Sequence, residues 1–134
     1  MYLWLLFSLK KCSKFVVKIV AMFLKNLFRS STNSDKITVL SATEFQAAIQ
    51  KKGVQLIDVR TPNEYAAGNI KGAKNLNLFD SSSFQKGAAA LDKALPIYLY
   101  CQSGNRSKSA SSLFVKMGFS QVFDLKGGYT SWPF

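Results

Sequence analysis

The stretch PIYLYCQSGNRS at positions 96–107 decides how this chain is to be read. A short apolar run, Ile97 to Tyr100, stops at Cys101. A polar loop containing Gly104 follows, and then a helix-forming segment from Lys108 to Met117. In a strand–tight loop–helix unit, successive backbone N–H groups can point inward. The helix behind adds its free N-terminal donors and the positive end of its dipole. A cysteine at the strand end lies at the floor of that cradle, where the thiolate is favoured over the thiol, and the thiolate is the nucleophile. Arg106, five positions after Cys101, adds a fixed cation at the rim. The unit reads as an anion pocket with a sulfur nucleophile inside it.

A plainer reading competes, because free cysteine is among the most buried residue types and often simply fills core. A core cysteine has no need of the sequence Gln102-Ser103-Gly104-Asn105-Arg106 directly after it. Gly104 permits a backbone turn that other residues resist. Ser103, Asn105 and Ser107 are small polar groups suited to lining a loop or capping a helix. A reactive Cys101 is the better account of the whole stretch.

The 134 residues form one domain at most, with an extra arm. An apolar content of 48% suffices for a core. The two cysteines, Cys12 and Cys101, lie in segments of different character, so a disulfide framework is not expected and the compartment is read as reducing. There is no histidine, which removes every Ser-His and Cys-His mechanism and leaves too few ligands for a Cys/His metal site. No metal and no cofactor is expected. Activation of Cys101 must come from backbone dipoles and cations.

The net charge of +11 is unevenly spread, with six basic residues and no acid in residues 1–30. A basic body suits anionic small substrates or an acidic partner. No nucleic-acid motif is visible, so no nucleic-acid partner is expected.

Residues 1–29 form a basic, largely apolar arm. Lys11, Lys14, Lys18, Lys25 and Arg29 fall at helical spacing among Phe15, Val16, Val17, Ile19, Val20, Met22, Phe23, Leu24, Leu27 and Phe28. That pattern suits a helix lying on a membrane surface with its cations toward anionic head groups. A start of translation at Met22, with residues 1–21 being upstream sequence, fits the residues equally well. A secretory signal fits less well, because the apolar run precedes the lysines and no small-residue cleavage site follows. A membrane span fits poorly, because Lys14 and Lys18 interrupt it. The protein is expected in the cytoplasm, with the inner face of a membrane as an option, and as a monomer.

Residues 30–36, SSTNSDK, read as a linker, and the folded domain as residues 37–134. Strands are expected at 37–40, 54–59, near 75–78, at 97–100 and at 122–125. Helices are expected from a Ser41/Glu44 capping box to about Lys52, from Thr61-Pro62 to Gly68, from 80–83 to about Leu91, over 107–117, and briefly at 129–132. This alternation implies an α/β fold: a mostly parallel five-stranded sheet with helices on both faces. Ligands then bind at the carboxyl ends of strands, where Cys101, Asp58 and Arg60 all fall. Asp58 reads as a structural acid that accepts backbone N–H bonds. Arg60 could pair with Asp58, pair with Glu64 or face a substrate anion, with pairing preferred. Gly127 and Gly128 read as a backbone turn near the pocket, and Trp132 as core.

Three segments carry a family resemblance. LYCQSGNRS at 99–107 resembles the active-site loop of single-domain rhodaneses, the thiosulfate sulfurtransferases. LIDVRTPNEYAAGNIKGAKNLNL at 56–78 is similar to their first signature segment, and DLKGGYTSW at 124–132 to their closing one. The resemblance runs from Ile37 to the C-terminus. It implies a single rhodanese-like domain in which Asp58 orders the pocket from behind. Where the family usually has Gly-His-Ile this chain has Gly68-Asn69-Ile70, a departure that removes a histidine which is not the nucleophile.

The expected chemistry is sulfur transfer. Cys101 takes the outer sulfur of a small anionic donor such as thiosulfate, or of a persulfide, and passes it to a thiol or protein acceptor. The loop residues Gln102, Ser103, Gly104, Asn105 and Arg106 bind the substrate, and Asp58, Arg60 and Ser107 support the pocket. A cysteine phosphatase uses the same kind of cradle but places five residues between Cys and Arg. Here four lie between Cys101 and Arg106, giving a smaller cradle. The reading from another class is a carrier or redox-sensing module that holds a persulfide without free turnover, which fold alone does not separate from an enzyme.

Overall fold

The computed structural model describes Val20 and residues 33–134. The chain divides into two units, residues 1–31 and 32–134. Of the first, Val20 is helical and exposed. The membrane-surface helix, the passive Cys12 and the alternative start at Met22 otherwise lie outside the described residues. Among the described residues no helix is long and apolar enough to cross a membrane.

The second unit alternates strand and helix: β1 (Ile37–Leu40), α1 (Ala42–Ile49), β2 (Gln55–Asp58), α2 (Pro62–Ala67), β3 (Lys74–Asn75), α3 (Ser81–Ala89), β4 (Ile97–Tyr100), α4 (Asn105–Lys116) and β5 (Val122–Leu125). Short 3-10 turns precede and follow it at Asn33–Lys36 and Tyr129–Ser131. The former lies within the stretch read as a linker. The five strands form one sheet in the order β1-β5-β4-β2-β3, and every pairing is parallel.

The caps explain where the helices start. Ser41 and Thr61 each close a reciprocal capping box, with Glu44 and Glu64. Pro62 fills the first position of α2, where its missing N–H costs nothing. Asp80 caps α3 through the Ser83 N–H at 3.0 Å.

Successive residues of a strand face opposite sides of a sheet, so the parallel sheet has two cores. On one face Ile57, Leu99 and Val122 pack under Phe84 and Ala88 of α3 and Ala110, Phe114 and Val115 of α4. On the other, Leu56, Tyr98, Tyr100 and Leu125 pack with Phe45 of α1, Ile70 and the partly buried Tyr129 and Trp132. Phe45 meets the Tyr98 ring edge-on at 5.7 Å and the Trp132 ring at 6.1 Å, so Trp132 is the packing residue it was expected to be.

Several boundaries differ from the expected ones. Strand β3 is two residues long and begins at Lys74, because the chain leaves the ladder once the Leu76 N–H has bonded to Asp58 O. Helix α1 ends at Ile49, with Gln50 as its C-cap, short of Lys52. Helix α4 begins at Asn105 and not at Ser107, because Gly104, at φ 102, turns the chain directly into it. Asn105 and Arg106, read as loop residues, therefore stand in the first turn of the helix.

Candidate active site

Cys101 follows the last residue of β4, the central strand, and is fully buried. The Gly104 N–H donates to its Sγ at 3.0 Å, and Sγ in turn lies 3.5 Å from Ser107 Oγ. Ser107 Oγ also donates to Gly104 O at 3.1 Å, which ties the loop to the first turn of α4. The sulfur therefore sits where a backbone donor, a hydroxyl and a helix N-terminus converge. Such a setting aims donors at the sulfur from two sides.

The closing segment fixes the outer side of the loop. The Tyr129 N–H donates to Cys101 O at 2.7 Å, and Thr130 donates to Gln102 O through its N–H at 3.0 Å and its hydroxyl at 2.8 Å. Gly128 permits this approach. At φ 64 it carries no side chain, and a Cβ there would stand 2.5 Å from Cys101 O and 2.6 Å from the Gln102 carbonyl. The turn expected at Gly127-Gly128 is thus pressed against the Cys101 loop.

Behind the loop, Asp58 and Arg60 form a buried pair, 0% and 2% exposed. Arg60 Nη2 lies 2.7 Å from Asp58 Oδ2, and Arg60 Nε is 3.1 Å from both carboxylate oxygens. The Arg60 backbone N–H donates to Asp58 Oδ1 at 2.9 Å, as expected of an acid that holds its own loop. The rest of the guanidinium reaches two other segments, donating to Gln102 Oε1 at 3.0 Å and to Gly68 O at 2.6 Å. It also lies 4.3 Å from the centre of the Tyr129 ring. Burial would lower the Arg60 pKa, and Asp58 more than offsets that, so the guanidinium stays charged. Of the three roles open to Arg60, the structure shows pairing with Asp58. Pairing with Glu64 is not seen, and the side chain is 2% exposed.

Glu64 pairs with Arg106. Two parallel hydrogen bonds, of 2.8 and 2.7 Å, join the Arg106 guanidinium to both Glu64 oxygens. The same carboxylate closes the capping box of α2 on Thr61. Arg106, chiefly, holds Glu64 down to about 2, with Thr61 assisting against some burial. The Arg106 guanidinium carbon also lies over the exposed Phe79 ring, 5.4 Å from its centre. Ser103 of the loop and Asn105 of the first turn of α4 are exposed.

Glu64, Asn75, Tyr100, Tyr129 and Asp124 serve this region without having been singled out as site residues. Asn75 ties the backbone carbonyls of Asp58 and Arg60 together at 3.0 and 2.9 Å. The Tyr100 hydroxyl accepts from the Ile70 N–H at 3.0 Å, and burial foremost raises its pKa. Asn69, in the position of the family's histidine, donates to Tyr65 O at 3.1 Å. Only Glu64 carried a usable sequence signal. Its place in the first turn of a capped helix puts a carboxylate at a strand's carboxyl end, where the rim arginine also falls.

Known proteins resemble this chain in sequence and in fold. The family model of the Rhodanese-like domain matches residues 41–133. The uncharacterized protein YqhL of Bacillus subtilis is 38% identical over 118 residues, 87% of this chain and 90% of its own. That match is longer than residues 37–134 and so extends into the N-terminal arm. The thiosulfate sulfurtransferase GlpE of Pseudomonas paraeruginosa is 36% identical over 91 residues, 68% of this chain and 80% of its own. Among solved structures, the human single-domain sulfurtransferase TSTD1 superposes with a TM-score of 0.58 at 26% identity, covering 70% of this chain and 93% of its own. A rhodanese-like domain protein from Staphylococcus aureus gives 0.62 at 25% identity, over 71% and 90%. With its parallel sheet, its cysteine loop and these relatives, the chain belongs to the rhodanese-like domain family.

Proposed function

We propose that this protein is a sulfurtransferase that works through a persulfide on Cys101. The observation that carries the reading is the position of Sγ, 3.0 Å from the Gly104 N–H and at the N-terminus of α4. The thiolate attacks the outer sulfur of a donor such as thiosulfate. The new S–S bond forms as the donor's S–S bond breaks, and sulfite leaves with that electron pair. The outer sulfur of the resulting persulfide then accepts attack by a thiolate or other thiophile, and the Cys101 thiolate is released. The loop donors stabilise the anionic sulfur at both stages. Arg106 meets the anionic end of the donor while its charge is shared with Glu64.

The match to YqhL reaches into the arm, which supports its translation as part of the protein, and the arm's basic, apolar sequence suits contact with an anionic membrane surface. The protein is taken to work as a monomer in the cytoplasm.

The test is thiosulfate:cyanide sulfur transfer by the full-length protein beside Cys101→Ala, with intact mass after donor treatment. Turnover with ping-pong kinetics, and a gain of one sulfur atom, both lost in the variant, are expected. A stable one-sulfur adduct without turnover would favour a carrier. Aryl-phosphate hydrolysis lost in Cys101→Ser would favour a phosphatase.

A further inference from the structure

A cavity of about 330 Å³ lies against the Cys101 loop, and the sulfur-transfer chemistry above leaves it unused. Its walls come from the loop, from α4 and from the β1–β5 edge of the sheet. Val39 of β1 and Asp124 of β5 are partners in the register, so their side chains share one sheet face. It is the face of Val122, on which α4 packs. Asp124 is covered, at 3% exposed, whereas Val39 on the edge strand is open, at 53%. The cavity occupies that step.

Three kinds of group meet there. Lys108, in the first turns of α4, and Lys126, just past β5, both line the cavity. Neither is in an ion pair with a carboxylate among the described residues. Asp124 supplies an acid whose Oδ1 has no hydrogen-bond partner among the described residues. A buried carboxylate oxygen left so is costly unless a donor meets it. Val39 and Leu125 add a small apolar wall. Two cations, one acid short of a donor and a little apolar surface match the head of an α-amino acid. Its carboxylate suits the lysines, its ammonium suits the acid, and its short stem suits the wall. The volume is in the range of small-molecule sites. Gly104 borders both the cavity and the nucleophile, since its N–H donates to Cys101 Sγ at 3.0 Å. A head group held here stands one residue from the sulfur.

We propose that this cavity is the subsite for the head group of a small α-amino-acid thiol, the acceptor that takes sulfur from Cys101. The carboxylate lies between Lys108 and Lys126, and the ammonium lies toward Asp124. The acceptor's thiolate attacks the outer sulfur of the Cys101 persulfide. A new S–S bond forms as the old one breaks, the Cys101 thiolate leaves with the electron pair, and the amino acid departs as its persulfide. This inference rests on the sulfurtransferase reading and names the class of its acceptor.

The test separates binding from sulfur transfer by using probes that cannot react. S-methyl-L-cysteine carries both charged groups, S-methylcysteamine lacks the carboxylate, and methylthiopropionate lacks the ammonium. Each is titrated into isotope-labelled full-length protein and followed by amide NMR. S-methyl-L-cysteine should shift the Ser103, Gly104 and Asn105 amides and bind about tenfold more tightly than either single-charge probe. Lys126→Ala, an exposed position, should abolish its advantage over S-methylcysteamine. Asp124→Asn should abolish its advantage over methylthiopropionate, and Lys126→Ala decides the case if that variant does not fold. No binding, equal binding of the three probes, shifts confined to other segments, or an advantage that survives in Lys126→Ala would overturn the proposal. Sulfur transfer from Cys101 to L-cysteine and to mercaptoethanol at equal rates would overturn it while leaving the sulfurtransferase reading in place. Binding as expected, with no one-sulfur adduct on Cys101 after donor treatment, would overturn that reading and with it the acceptor role.

Discussion

Arg106 and Glu64 meet through two parallel hydrogen bonds of 2.8 and 2.7 Å, so the cation at the rim of the loop is already paired within the protein. The pair joins the first turn of α4 to the first turn of α2, and it is only part-buried. On the proposed reading, a donor anion at the rim meets a guanidinium whose charge is partly spent on a neighbour. Glu64→Gln leaves Arg106 fully charged and preserves the side chain's size. We expect a lower KM for thiosulfate with kcat little changed. Arg106→Ala should raise that KM about tenfold, an effect of about 1.4 kcal/mol. Steady-state kinetics on the two variants checks both. A KM that rises in Glu64→Gln would show that Arg106 works as an orienting strut and not as an anion contact.

The same pair sets an acid limit on the fold. Glu64 is held at about 2, below its ordinary 4.5, chiefly by Arg106. A carboxylate depressed in the folded state contributes stability that is present above its unfolded pKa and is lost as pH falls toward the folded value. Between pH 5 and pH 2 the wild type should lose more stability than Glu64→Gln, read as the shift of the urea midpoint. Equal losses would place the acid sensitivity elsewhere.

Asp124 gives the opposite sign. Burial raises it from 3.8 to about 6, so its ionisation opposes folding. Its contribution is fully present below the unfolded value and is lost as pH rises through about 6. Asp124→Asn removes that loss. Its melting temperature should exceed wild type at pH 8 and match it at pH 4, and thermal melts at the two pH values measure this. A variant less stable at both would mean that the carboxylate holds a partner the asparagine does not.

Much of this arrangement was legible in the sequence, for identifiable reasons. The capping boxes at Ser41/Glu44 and Thr61/Glu64 are local and set by residues three apart, so two helix starts could be read directly. Buried parallel strands read as apolar runs, which placed β2, β4 and β5 and, through them, Asp58 and Cys101. What escaped depends on contacts between distant segments. The Arg106–Glu64 pair spans 42 positions, as does the Arg60–Gln102 bond. Neither is visible until the sheet order sets β2 beside β4. The start of α4 was misplaced because Gly104 was read only as a loop residue, whereas its positive φ is the helix entry itself. Asp124 was hidden by its surroundings, since one acid in an otherwise apolar strand carries no pattern.

The Gly128 backbone offers a direct test of how closely the closing turn governs the loop. A Cβ at this position would stand 2.5 Å from Cys101 O and 2.6 Å from the Gln102 carbonyl, and φ is 64. The obstacles are backbone atoms, so no flexible side chain can yield. Gly128→Ala should displace the Cys101 carbonyl from the Tyr129 N–H and move Sγ relative to the Gly104 N–H. We expect sulfur transfer to fall more than tenfold and the urea midpoint to fall with it, because Gly128 is buried against the loop it touches. Activity and midpoint measured on one preparation check this, and near-wild-type activity would mean that the loop is held from the Arg60 side alone.

The Arg60 hub makes the strongest stability prediction. Its guanidinium reaches Asp58, Gly68 O and the Gln102 side chain, three segments that meet only in the folded state. Arg60→Met keeps most of the apolar stem but leaves the fully buried Asp58 carboxylate without its partner. Breaking a buried pair from one side costs about 3–5 kcal/mol, far more than the pair's net contribution, because the remaining charge stays desolvated. A double variant, Arg60→Met with Asp58→Asn, removes that charge as well. Its destabilisation should fall well below the sum of the two single effects, a coupling that urea unfolding of the four proteins measures. In activity the double variant should still fail, because Gln102 Oε1 has lost the donor that orients the active-site loop. Additive losses in stability would show that Asp58 is held by its backbone and Asn75 neighbourhood, and that Arg60 serves the loop only.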